Sequence, residues 1–135
     1  MRFIVISVNF LCLFSASSFA QEPNCADPQS QFEMNVCSGR DYDAADEKLN
    51  TAWKTVFASL KQWDKEVWQD GSSAPSRADA LLKSQRAWID YRDGHCEAEA
   101  EGFHGGSILP LVRNTCLTEI TERRTAELLS LTEGN

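Results

Sequence analysis

Four cysteines, two histidines and a short run of carboxylates are the residues of this chain most able to do chemistry. Cys25, Cys37, Cys96 and Cys116 could bind zinc as thiolates, act as nucleophiles or pair as disulfides. The compartment decides between these fates, and the N-terminus indicates the compartment. Residues 1–20 read MRFIVISVNFLCLFSASSFA: a basic Arg2, an apolar run broken only by Ser7 and Asn9, and Ser18-Phe19-Ala20 with small residues where a signal peptidase reads. This is the pattern of a cleaved secretory leader, and the run is too short to span a bilayer. Cleavage removes Cys12 and leaves an even set of four cysteines in an oxidising space.

Oxidation removes most of the catalytic options. No C-x-x-C pair is present, His95 and His104 are not spaced as a ligand pair, and no metal is expected. A cysteine nucleophile would need a free thiolate. No G-x-S-x-G elbow supports a serine nucleophile. Glu97, Glu99 and Glu101 offer paired carboxylates, but they read as a solvated helix face, and a small helical domain rarely supplies a sugar cleft. The chain therefore reads as a non-enzyme without a cofactor.

Charge narrows the partners. Thirteen basic residues stand against twenty acidic ones, a net charge of −7, and loss of Arg2 with the leader makes the balance more acidic still. Phosphate contacts need clustered Lys and Arg, so nucleic acid and anionic lipid are poor partners. A basic protein would be steered in. Leu11 precedes Cys12 and Asn24 precedes Cys25, where a lipid-anchored protein would carry a small residue, so neither an anchor nor a membrane span is expected.

The elements that must position these residues are helical. Residues 21–135 make one small domain, opened by an arm containing Pro23 and Pro28. Gln31–Cys37 reads as a short helix with Phe32 and Val36 at i, i+4, ended by Ser38-Gly39 in a left-handed cap. A longer helix then starts at Asp41. Its stripe of Tyr42, Ala45, Leu49, Ala52, Trp53, Val56, Phe57, Leu60 and Trp63 recurs at three- and four-residue steps, with Trp68 placed to extend it. Residues 70–75 break it, and Ser76 caps the next helix with Asp79 three residues on. Leu81, Leu82, Gln85, Trp88, Ile89, Tyr91 and Cys96 carry that helix forward, with Gly94 weakening it. The last helix begins at Ser107 or a neighbour, accepts Pro110 in its first turn, and buries Leu111, Val112, Cys116, Leu117, Ile120, Leu128 and Leu131. No strand-like alternation appears. The expected fold is an all-α, disulfide-stapled bundle of three main helices plus a short N-terminal one.

Of the three possible pairings, Cys25–Cys37 and Cys96–Cys116 are favoured because each closes a short loop across a helix boundary; the crossed pairings stay open. Two segments stand out between these staples. Residues 85–93 hold Arg86, Trp88, Asp90, Tyr91, Arg92 and Asp93, with Arg86 and Asp90 able to pair at i, i+4. They read as a structural polar lattice around a core tryptophan. The Gly102–Ser107 turn lies between Cys96 and Cys116 and presents Phe103 and His104 beside Gly105. Held by a disulfide there, it loses little entropy on binding.

Several motifs, in order along nearly the whole chain after residue 20, are similar to one family. They are Glu33-Met34-Asn35-x-Cys37, Tyr42-x-x-Ala45-Asp46-x-x-Leu49-Asn50, Gln85-Arg86-Ala87-Trp88-Ile89-x-Tyr91-Arg92-Asp93-x-x-Cys96, Gly105-Gly106-Ser107-x-x-Pro110 and Cys116-Leu117-Thr118-x-x-Thr121-x-x-Arg124-x-x-Glu127-Leu128. Together they resemble the lysozyme inhibitor LprI-type domain, also catalogued as DUF1311. The resemblance implies a secreted, disulfide-bonded helical protein of the bacterial envelope that inhibits lysozyme. Unlike the lipid-anchored namesake, this chain has no anchor cysteine. The implied partner, a strongly basic c-type lysozyme, fits the acidic charge. Lysozyme inhibitors of unrelated fold plug the enzyme's cleft with a loop. That analogy makes Phe103, His104 and Gly105 the candidate contact, with Glu97, Glu99 and Glu101 as a second candidate surface. The competing expectation is a periplasmic interaction module, an envelope-stress adaptor or an immunity-type protein, serving another client.

Overall fold

A computed structural model describes residues 22–69, 73 and 75–133. The leader expected at residues 1–20 and most of the break at 70–75 lie outside the described residues. Three helices follow in order: α1 (Gln31–Gln69), α2 (Arg77–Glu101) and α3 (Leu109–Glu133). No strand occurs among the described residues. The all-α class and the three main helices are as expected. So are both staples, Cys25–Cys37 and Cys96–Cys116. Closing loops of this length, each stabilises the fold by about 2–4 kcal/mol.

The short N-terminal helix is present, but it is not a separate element. Gln31–Cys37 runs without a break through Ser38 and Gly39 into the 39 residues of α1. Gly39 is not in the left-handed region, and Gly105 is the described glycine that is. A mid-helix glycine costs about 1 kcal/mol relative to alanine, so a stop was a reasonable expectation. Tertiary contacts outweigh that cost. Ser38 is buried and its Oγ accepts from Asn114 Nδ2 at 3.2 Å, while Cys37 is tied to Cys25. The true start of α1 is a reciprocal capping box. Ser30 Oγ accepts from the Glu33 N–H at 3.2 Å, and Glu33 Oε2 accepts from the Ser30 N–H at 3.1 Å. Further N–H groups of Gln29 and Asn24 donate to the same carboxylate and hold its pKa below the ordinary value.

The start of α2 shows the same logic in tertiary form. Ser76 is the N-cap, accepting from the Asp79 N–H at 2.9 Å. Asp64, near the end of α1, is 4% exposed and reaches across. It accepts from Ser76 Oγ at 2.7 Å and from the N–H groups of Arg77 and Ala78 at 2.9 and 3.1 Å. An aspartate thus satisfies orphan donors of the neighbouring helix and fixes the α1–α2 angle. Burial alone would raise its pKa. The hydrogen bonds from Ser76, Arg77 and Ala78, with the nearby Arg77 charge, outweigh burial and lower it.

Helices α1 and α2 are antiparallel, as are α2 and α3, so α1 and α3 run parallel. Cross-links of known register show this: Asp64 to Ser76, Cys96 to Cys116, and Asn114 to Ser38. The core has two parts. Leu49, Val56, Leu60, Ala78, Leu81 and Leu128 form one, and Cys96, Cys116, Leu117 and Ile120 the other. Trp88, half-buried, packs against both and joins them. The apolar stripe of α1 faces inward as its spacing predicts, except that Trp68, placed to extend it, is exposed. On α2, Leu81, Gln85 and Cys96 of the expected set are buried, joined by Ala78, Arg92 and Ala100, whereas Ile89 and Tyr91 face solvent. Position 92 continues the three- and four-residue steps from 81, 85 and 88, and position 91 falls about 100° away from it.

Two outcomes are expected. Asp64→Asn removes acceptor capacity at the α2 start and lowers stability at pH 7 by about 1–2 kcal/mol in denaturant titration. Asp64 has a depressed native pKa, so its contribution is complete above the unfolded value of about 4 and is lost as pH falls through the native value. The gap between parent and variant should therefore narrow below about pH 4. At Gly94, exposed on α2 with nothing within 4 Å of an added Cβ, Gly94→Ala should raise stability by about 0.5–1 kcal/mol in the same titration.

Candidate functional site

The α2–α3 turn is built on a stapled base. Cys96 and Cys116 are buried, and their bond joins the last turns of α2 to the first turns of α3. Between them residues 102–108 form a chain of tight turns. Phe103 N–H donates to Ala100 O at 2.9 Å, His104 N–H to Glu101 O at 3.1 Å, and Gly106 N–H to Phe103 O at 2.9 Å. Two glycines permit this path. Gly105 sits at φ +76°, and a Cβ on Gly106 would lie 3.0 Å from Phe103 O. A further tie comes from α1, where Asn35 Nδ2 donates to Ser107 O at 2.9 Å. Helix α3 then begins at Leu109, with Pro110 in its first turn as expected.

This frame holds its side chains outward. Phe103 is 46% exposed, and His104 projects into solvent with Nδ1 2.9 Å from Glu101 Oε2. The turn therefore combines a rigid backbone, an aromatic ring and an imidazole at one tip. The carboxylate run does not form a free acidic strip. Glu97 pairs with Arg113 of α3 at 2.9 Å, Glu99 lies 3.9 Å from His95, and Glu101 faces His104. Alternate residues on a helix also point to different sides.

Residues 85–93 divide between surface and centre. Arg86 and Asp90 are exposed and form no ion pair with each other, contrary to the expected i, i+4 contact. Tyr91 is exposed and stacks on His95. Arg92 is the buried member, 7% exposed. Its guanidinium lies 5.0 Å from the Trp88 ring centre and 5.6 Å from that of Tyr42. Nε donates to Asp93 at 2.9 Å, and Nη1 donates to Asp46 of α1 at 3.3 Å and to Thr121 Oγ1 of α3 at 3.4 Å. Burial opposes its charge, but the Asp93 hydrogen bond and the Asp46 contact outweigh this and raise its pKa. Arg92 thus touches all three helices. Asp46 and Thr121, which complete this lattice, belong to motifs quoted above, but they lie 46 and 29 residues from Arg92 and no local spacing pairs them with it.

His95, Glu99 and Cys116 place potential metal-ligating atoms within 4.8 Å of one another. The Cys116 sulfur is bonded to Cys96, so this group offers no thiolate. A groove of about 560 Å³ lies elsewhere, between α1 and α3, with Ala44, Thr51, Ala52, Thr125 and Leu129 among its lining. It contains none of the residues expected to contact a partner.

Comparison with known proteins gives the family of the chain. Residues 24–128 match the family described as lysozyme inhibitor LprI, a span that includes both staples, Arg92 and the whole turn. The uncharacterized protein R02472 of Rhizobium meliloti (strain 1021) is 40% identical over 129 residues, covering 96% of this chain and 93% of that protein. The uncharacterized protein YecT of Escherichia coli (strain K12) is 31% identical over 85 residues, covering 62% of this chain and 50% of that protein. No solved structure matches.

Arg92 is expected to support the site through the fold. Arg92→Ala should cost about 3 kcal/mol, because Thr121 and the two carboxylates lose their shared donor and Trp88 and Tyr42 lose their packing partner. Arg92→Lys should recover less than half of this, since an ammonium lacks the planar fork that serves three acceptors and two rings. Equilibrium unfolding of the two variants checks both statements.

Proposed function

Because this chain belongs to the lysozyme inhibitor LprI family, we propose that it is a non-enzymatic protein inhibitor of c-type lysozyme, exported to the periplasm and acting by direct binding. The family match across residues 24–128 carries this reading. The leader pattern at residues 1–20 supports export, and no helix among the described residues is long and apolar enough to cross a membrane.

The turn is the contact this reading favours. Inhibition of this kind needs no bond to be made or broken. It needs a rigid projection that enters the substrate cleft and stays there. Backbone hydrogen bonds, the Cys96–Cys116 staple and the Asn35 tie fix the turn before binding, which limits the entropy lost on association. Phe103 supplies apolar area. His104 presents an imidazole to the enzyme's acidic cleft, with Glu101 orienting it through Nδ1. The acidic balance of the chain favours encounter with a basic enzyme.

Lysis of a lysozyme-sensitive cell suspension tests the reading. The oxidised exported protein should protect in a dose-dependent way, more strongly at low salt than at physiological salt. No protection at either salt by a sample folded by circular dichroism would reassign the protein to a different periplasmic client. His104→Ala should weaken inhibition about tenfold, equivalent to about 1.4 kcal/mol. Unchanged inhibition would remove His104 from the contact.

A further inference from the structure

The start of α1, the end of α2 and the start of α3 share one end of the bundle. Charge is unevenly divided along the bundle. Residues 41–47 carry Asp41, Asp43, Asp46 and Glu47 and no cation, and residues 93–101 carry four carboxylates and no Lys or Arg. Towards the opposite end the charges balance: Lys61, Lys65, Arg77, Lys83 and Arg86 stand against Asp64, Glu66, Asp79, Glu127 and Glu133. Much of the carboxylate charge at the acidic end is engaged: Asp46 and Asp93 by Arg92, Glu97 by Arg113, and Glu101 by His104. Asp41 and Asp43 are exposed, with no ion-pair partner among the described residues.

Three large apolar side chains face solvent at the same end. Phe32 is 66% exposed, Phe103 46% and Ile108 37%. Phe32 lies one turn before Asn35, whose side chain is bonded to Ser107, the residue preceding Ile108. A single exposed apolar residue needs no explanation, but three on one end, held by a rigid turn and framed by carboxylates, have the make-up of an interface centre with a polar rim.

We infer that Phe32, Phe103 and Ile108 form one apolar contact patch for the basic lysozyme partner, with Phe32 of α1 as an anchor and Asp41 and Asp43 as the steering charges. The inference rests on the lysozyme-inhibitor reading and extends its contact from the α2–α3 turn to the first turns of α1. Charge complementarity selects the occupant: a strongly basic surface meets the end of the molecule that carries unpaired carboxylates. The division of labour follows from the physics. Desolvated aromatic anchors set how long the complex lasts, and rim charges set how fast it forms.

Binding kinetics against a purified c-type lysozyme, over a series of salt concentrations, test this with the full oxidised protein. Phe32→Ala and Phe103→Ala should each raise Kd at least tenfold, mainly through faster dissociation. The double substitution Asp41→Lys, Asp43→Lys should slow association severalfold at low salt and flatten its salt dependence. Lys83→Glu, at the other end, should leave Kd within about twofold. Thermal unfolding of each variant accompanies the kinetics, and Phe32→Gln replaces Phe32→Ala if the alanine variant is destabilised. Parental Kd in a folded Phe32 variant, alongside a weakened Phe103→Ala, would confine the contact to the turn and overturn the inference. A folded parent that binds no lysozyme would overturn the inhibitor reading and this inference together.

Discussion

A guanidinium held between two aromatic rings sets the register of this bundle. Arg92 enters a core that is short of apolar volume and replaces part of it with directed bonds, to α1 through Asp46 and to α3 through Thr121. Apolar contacts alone tolerate sliding of one helix past another, because they are not directional. A buried fork with few compatible acceptors does not. The two core clusters meet at Trp88, against which Arg92 also lies, so the polar and apolar parts of the interior are one structure.

Register then determines what the turn can present. Residues 102–108 are short and glycine-rich, and their path is imposed by the helices they join. The Cys96–Cys116 bond fixes the base, and Asn35 fixes the flank. Sterically, Gly105 and Gly106 are what the path requires, which gives the turn a structural reason for its composition beside any role in contact. The exposed ring of Phe103 has no such structural reason, and neither does that of Phe32. This distinction separates residues that shape the surface from those offered by it.

Much of the fold could be read from residue spacing. The α1 stripe is long and strongly apolar, so its inward face follows from period alone. The staples are the pairing that local cysteine spacing favours, while spacing alone leaves the crossed pairings open. Reading fails where a polar residue does the work of an apolar one. Arg92 continues the α2 stripe, but hydrophobic periodicity does not count a guanidinium, whereas Ile89 and Tyr91, which it does count, face solvent. Gly39 looks like a stop because the contact that carries the helix through it, Asn114 to Ser38, spans 76 residues. Asp64 capping α2 is another contact with no local signature. The turn was legible as a candidate site because cysteines and glycines mark it. Phe32 was not, since its helical spacing with Val36 says nothing about which of the two faces the interior.

Both covalent links lie at the end of the bundle that carries the turn. At the other end, α1 and α2 are joined by Asp64 and side-chain packing, without a cross-link among the described residues. Opening of the molecule is therefore polarised: amide exchange should be fastest where the last turns of α1 meet α2 and slowest around Cys96 and Cys116. Partial opening at the far end leaves the stapled end with its covalent frame intact. The stapled end can thus persist through fluctuations that loosen the rest of the domain.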